Sequence, residues 1–219
     1  CVLTTTPGKY VKTANANEEI CAGDGYCTGD IPVYYGSTGG YEACDTNYRA
    51  NTETGKTAQN QCQASCGAGT AVLEPAGACT VIEGNTYKTG TALVDYGSIS
   101  PTASDITSGW AADTIYSCPN SYSISGTAAT NHDARTDCSI SCAAGTQVAS
   151  ANAACTTPTG SNWYTSKHDV SAGSTSGSNI KQCLTAQGYA TANTATATDH
   201  DNVNDCKTTC SAGQWVASA

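Results

Sequence analysis

The 219-residue chain contains no Phe and no Met, and only 4 Leu, 9 Ile and 10 Val. These 23 residues are roughly half the ~20 % share below which a chain is suspected of lacking a packed core. One large apolar core is therefore excluded. Basic residues are scarce as well: nine Lys and Arg stand against eighteen Asp and Glu, for a net charge of -9. The nine are scattered singly, so no Lys/Arg cluster offers an electrostatic footprint for nucleic acid, which is not an expected partner. No apolar run approaches the roughly 20 residues a membrane helix needs. The chain opens on Cys1 with no charged, apolar, then small-residue leader, so its start reads as processed or cut.

What the chain does have is fourteen cysteines. Small domains short of apolar surface are commonly held by disulfides, which cut the entropy of the unfolded chain and persist in oxidising compartments. A secreted or surface protein is expected.

The cysteines recur with their neighbours. QNQCQASCGAG, RTDCSISCAAG and VNDCKTTCSAG each hold a C-x3-C pair. A third cysteine heads CVLTTTPGKY, CTVIEGNTYK and CTTPTGSNWY, and a fourth lies in YEACDTNY, YSCPNSY and KQCLTAQGY. Three tandem modules follow: 1–78 with Cys1, Cys44, Cys62 and Cys66; 79–154 with Cys79, Cys118, Cys138 and Cys142; and 155–219 with Cys155, Cys183, Cys206 and Cys210. Cys21 and Cys27 enclose AGDGY in what reads as an insertion of the first module, and they are expected to pair with each other. Tyrosines recur beside the cysteines, Tyr10, Tyr87 and Tyr164 after the first, Tyr48, Tyr122 and Tyr189 after the second. In a chain without Phe they read as core residues rather than a glycan-stacking platform.

Thr57, Asp133 and Asp201 stand five residues before each C-x3-C as candidate N-caps, and a Gly follows, so a short helix is expected to carry each pair. Cysteines at i and i+4 on one helical face cannot bond each other, so each should reach a different segment. TAVLE, TQVAS, QWVAS, GKYVKT, NTYKT and NWYTS read as strands, and 97–110, 170–179 and 190–200 as loops. The expected fold is thus a set of small, disulfide-rich, β-dominated modules, three in tandem, each with one short helix carrying C-x3-C.

The 13-residue interval from Cys66 to Cys79 recurs from Cys142 to Cys155. It suits a bond from each C-x3-C to the head of the next module, which leaves Cys1 and Cys210 to meet only head to tail. The alternative is that each module closes its own four cysteines.

Candidate chemistry is thin. His132, His168 and His200 are each followed by Asp, but the first module has Lys56 and Thr57 at the site of the other two, which favours a structural role. DHDNVND at 199–205 has the acid density of a calcium loop, yet Val203 takes a ligand position and no Gly or closing Glu is present. C-x3-C is not the spacing of a zinc site, and no G-x-S-x-G elbow appears. No enzyme activity, metal or cofactor is expected. Asn-x-Ser/Thr sequons are absent, so any glycan would be O-linked on the Ser/Thr-rich loops.

The C-x3-C followed by Gly, the Tyr-bearing cysteine segments and the Thr/Ser/Ala spacers resemble the cysteine-rich tandem repeats of large microbial surface and filament proteins. The resemblance implies an extracellular array of building blocks: a filament, fibril or stalk subunit joined head to tail to identical subunits or flanking modules. The alternative is a surface adhesin, lectin or antigen that binds through variable loops.

Overall fold

The computed structural model describes residues 2–49, 54–105, 111–157, 160–161 and 163–216. Cys1 lies outside the described residues, as do residues 106–110 of the expected 97–110 loop. The chain forms two compact units: Cys1–Ser117 with Gly126–Ala134, and Cys118–Ser125 with Arg135–Ala219. Neither expected boundary, 78/79 or 154/155, separates them.

The fold is β-dominated and disulfide-rich. Its sheets are small, each of two or three short strands, as befits a chain with too few large aliphatics to cover a broad sheet. The expected helix is corrected: Gln63–Cys66 and Ser139–Cys142 are strands, and only a three-residue 3-10 turn precedes each, at Gln59–Gln61 and Arg135–Asp137. Two reasons suffice. A helix of two turns is marginal without tertiary support. The pattern also alternates, with Ala64 and Cys66 buried and Ser65 exposed, which a strand satisfies with period two. Residues i and i+4 share a face in a strand too, about 13 Å apart at ~3.3 Å per residue, so the argument against mutual bonding survives the change.

Each such strand reaches forward in the sequence. Gln63–Cys66 pairs antiparallel with Ala92–Asp95, aligning Ala64 with Val94. Ser139–Cys142 pairs with His168–Ser171, aligning Ile140 with Val170. Val2–Thr4 pairs with Pro32–Tyr34, aligning Leu3 with Val33. The bonds that follow recur as well. Gly8, Gly69 and Gly145 donate N–H to the carbonyls of Cys27, Lys88 and Thr165, and those three residues donate in turn to Lys56, His132 and His200. Val33, Val94 and Val170 are buried in the same way.

Six disulfides close the described chain: Cys21–Cys27, Cys44–Cys62, Cys66–Cys79, Cys118–Cys138, Cys142–Cys155 and Cys183–Cys206. The first cysteine of each C-x3-C thus bonds backward and, in the two interior cases, the second bonds forward. Cys210 is free and exposed.

The hydrogen-bond register corrects two alignments. Lys9–Tyr10 pairs with Glu19–Ile20 as Thr70–Val72 pairs with Cys79–Val81, with Ile20 facing Lys9 as Val81 faces Thr70. Glu18, not Cys1, therefore stands where Cys79 stands, and its carboxylate accepts from the Thr6 N–H and hydroxyl. Cys21 and Cys27 occupy the places of Ile82 and Lys88, so AGDGY is no insertion. All four of these residues are buried. Replacing both cysteines by Ser would put two hydroxyls in the place of a core disulfide. A loss of about 3 kcal/mol or more is expected, read as a fall in the urea midpoint.

Candidate functional site

The buried side chains converge on two kinds of place, sites of buried Lys and His side chains beneath the turns and tyrosine sockets between segments.

Lys56, His132 and His200 occupy equivalent positions and are fully buried. The Lys56 ammonium donates to the Gly23 carbonyl. His132 faces two carbonyls, Thr86 O at 2.8 Å from Nδ1 and Gly126 O at 3.3 Å from Nε2. His200 faces Trp163 O at 3.1 Å and Thr194 O at 3.2 Å, and its ring stacks on Trp163 with centroids 4.0 Å apart and planes 8° apart. Each side chain is tied to backbone carbonyls of neighbouring segments, which gives the buried polar group its partners. Lys88, also buried, donates to Cys66 O at 3.0 Å, Gly67 O at 2.9 Å and Gly90 O.

His168 is elsewhere. Its Nε2 lies 2.8 Å from the Ser176 hydroxyl and its Nδ1 2.7 Å from Ser166 O. The three histidines do not meet. In the 199–205 stretch, Asp199 accepts from the Thr194 hydroxyl at 2.6 Å and Asp205 from the Asn202 N–H at 2.9 Å, so these acids serve local turns. Among the described residues, no group of three or more His, Cys, Asp or Glu side chains could hold a metal ion. No helix among them is long and apolar enough to cross a membrane.

The sockets carry the tyrosines. Tyr48 is buried among Cys44, Cys62, Ala64, Cys66, Val72 and Val94. Its hydroxyl donates to Gly77 O at 2.7 Å, and its ring meets Tyr96 edge-on, 5.0 Å between centroids. Tyr122, also buried, donates to Ala153 O at 3.2 Å. Both accepting turns pass through a left-handed residue, Ala76 at φ 60° and Asn152 at φ 64°. The expected core role of tyrosine holds for Tyr48, Tyr87 and Tyr122, whereas Tyr10, Tyr164 and Tyr189 are only half-buried; Tyr34 and Tyr35, for which the sequence predicts no such role, stand exposed at 64 % and 79 %.

Burial raises the phenol pKa of Tyr48 and Tyr122 above the ordinary 10.0, with Tyr96 and Asp45 adding to the effect at Tyr48. Above pH 10 the folded chain then holds protons that the unfolded chain has released, so stability must fall as pH rises. Burial lowers the Lys88 pKa from 10.5. Below that pH the unfolded chain holds the proton more tightly, and this group alone makes stability rise toward pH 10.5 before it levels off. Urea midpoints measured from pH 8 to 11.5 are expected to fall beyond pH 10, with the phenols dominating. Tyr122→Phe should flatten that fall, and Lys88→Met should remove the opposing rise.

A cleft of about 190 Å³ lies at the start of the chain, lined by residues that include Leu3, Val11, Ala16, Val33, Tyr34 and Tyr35. The sequence reading missed it because Tyr35 follows no cysteine, although the Val-Tyr-Tyr-Gly run at 33–36 repeats as Val-Asp-Tyr-Gly at 94–97. No family model, curated protein or solved structure matches this chain.

Proposed function

We propose that the protein is a structural subunit or repeat segment of an extracellular filament, fibril or cell-surface stalk, built from three tandem modules and assembling head to tail. The observation that carries this reading is the forward staple. The strand that ends in Cys66 pairs with Ala92–Asp95 and bonds Cys79, and the strand that ends in Cys142 repeats both contacts with His168–Ser171 and Cys155. Both forward-reaching strands are thus stapled into the following module, which suits the geometry of stacked arrays. The disulfides suit an oxidising, extracellular compartment. Neither the buried histidines nor the acids form a catalytic constellation, and we assign no enzyme activity or cofactor.

Electron microscopy of the native material tests this. Regular filaments with a repeat set by the chain support it, and dispersed monomers overturn it. A second reading, a surface adhesin, lectin or antigen, draws on the exposed Tyr34 and Tyr35 side chains, which could stack on a sugar ring. Binding on a glycan array that is lost in Tyr35→Ala would favour it. O-linked glycans on the Ser/Thr-rich loops are part of the proposal, and intact-mass measurement reads them.

A further inference from the structure

The cleft near the start of the chain has the form of the two interior sockets without their tyrosine. Gly8 and Val33 correspond to Gly69 and Val94, both 61 residues on. The same step takes Val11 to Val72, Asn15 to Ala76, Ala16 to Gly77 and Tyr35 to Tyr96. Asn15 is left-handed at φ 62°, like Ala76 and Asn152. The Ala16 N–H donates to Thr13 O, as Gly77 donates to Glu74 and Ala153 to Ser150. In the interior, Gly77 O and Ala153 O then accept a tyrosine hydroxyl. At Ala16 no side chain among the described residues does so. The wall shows the same vacancy, since Tyr96 packs on Tyr48 while Tyr35 is 79 % exposed.

The missing element is present near the other end. Tyr189 donates its N–H to Leu184 O, just after Cys183, as Tyr48 does to Asp45 O after Cys44 and Tyr122 to Pro119 O after Cys118. The following residue bridges in each case to the residue just after the first Cys of its own C-x3-C: Arg49 to Gln63, Ser123 to Ser139, Ala190 to Lys207. The tyrosine half of a junction is therefore built at Tyr189, and no residue among those described accepts its hydroxyl. Trp215 and Val216 are exposed where Ala71, Val72 and Val148 are buried.

We propose that the cleft receives Tyr189 from a second copy of this chain, which rests on the head-to-tail reading above and names its contact. Tyr189 donates its hydroxyl to Ala16 O and lays its ring against Tyr35. Val2–Thr4 of the receiving copy and Lys207–Thr209 of the incoming copy correspond to one and the same strand, so the incoming strand replaces Val2–Thr4 on Pro32–Tyr34. This terminal strand exchange swaps three residues for three. Glu18 stands at the place of Cys79, so Cys210 meets a carboxylate and the contact is non-covalent.

Sedimentation velocity over a range of concentrations, in a Cys210→Ser background to exclude stray disulfides, tests this. Self-association is expected, weakened at least tenfold by Tyr189→Ser and by Tyr35→Ala on the cleft wall. Deletion of residues 1–5 vacates the receiving strand and is expected to strengthen association at least tenfold. Near-ultraviolet circular dichroism serves as the check that each variant is folded. A chain that stays monomeric at every concentration, or that associates equally well with Tyr189→Ser, overturns the proposal. Filaments that persist with Tyr189→Ser sink this contact and leave the filament reading standing. Association through Tyr189 in material that forms no filaments does the reverse.

Discussion

Full reduction with thiol is expected to abolish the cooperative melting transition. The core is too small to hold the fold alone: the main apolar cluster of the first unit includes Cys44, Cys62 and Cys66 beside Tyr48, Ala64, Val72 and Val94, and that of the second includes Cys142 beside Val148 and Val170. The sulfur atoms are thus both cross-links and core. Each native disulfide is worth about 2–4 kcal/mol, and a domain's whole net stability is about 5–15 kcal/mol. Loss of the three bonds described in each unit, about 6–12 kcal/mol, is as large as that margin. Calorimetry with and without thiol decides the matter, and a melting temperature unchanged within a few degrees would mean that the apolar contacts suffice.

The second large effect is expected at a glycine. Gly69 and Gly84 have nearly the same left-handed backbone, φ 69° and 70°, but different surroundings. A Cβ on Gly69 would lie 2.0 Å from the carbonyl oxygen of Ala129, whereas one on Gly84 would meet nothing within 4 Å. Conformational strain alone costs about 1–2 kcal/mol for a residue with a Cβ. Gly84→Ala should show only that. Gly69→Ala must in addition push apart the backbone of the turn that carries His132, whose carbonyl accepts from Lys88 N–H at 2.9 Å. A loss of about 4 kcal/mol or more is expected, in the range reserved for such specific disruptions. Gly145 is crowded by Ala197 O at the same 2.0 Å, and Gly145→Ala should behave alike. Equal urea midpoints for Gly69→Ala and Gly84→Ala would show that the turn yields freely.

The sequence by itself determined the features that depend on covalent spacing and composition. Too few aliphatics and fourteen cysteines require small, cross-linked β units. The 13-residue interval offered the forward bonds Cys66–Cys79 and Cys142–Cys155 as one of two connectivities, and the structure contains them. The Cys21–Cys27 pair was legible because a sequence separation of six leaves a short loop rich in glycine.

Tertiary structure alone decided the rest. Whether C-x3-C is helix or strand is invisible to the spacing, because positions i and i+4 share a face in both; pairing with Ala92–Asp95 and His168–Ser171 selects the strand. Register was hidden too. Cysteine matching placed Cys1 beside Cys79, but backbone hydrogen bonds require no cysteine, and they place Glu18 there and make Cys21 the counterpart of Ile82. The equivalence of Lys56 with His132 and His200 could be read from the alignment. That all three are buried against carbonyls could not, since burial of a polar side chain depends on the partners that the folded backbone brings to it.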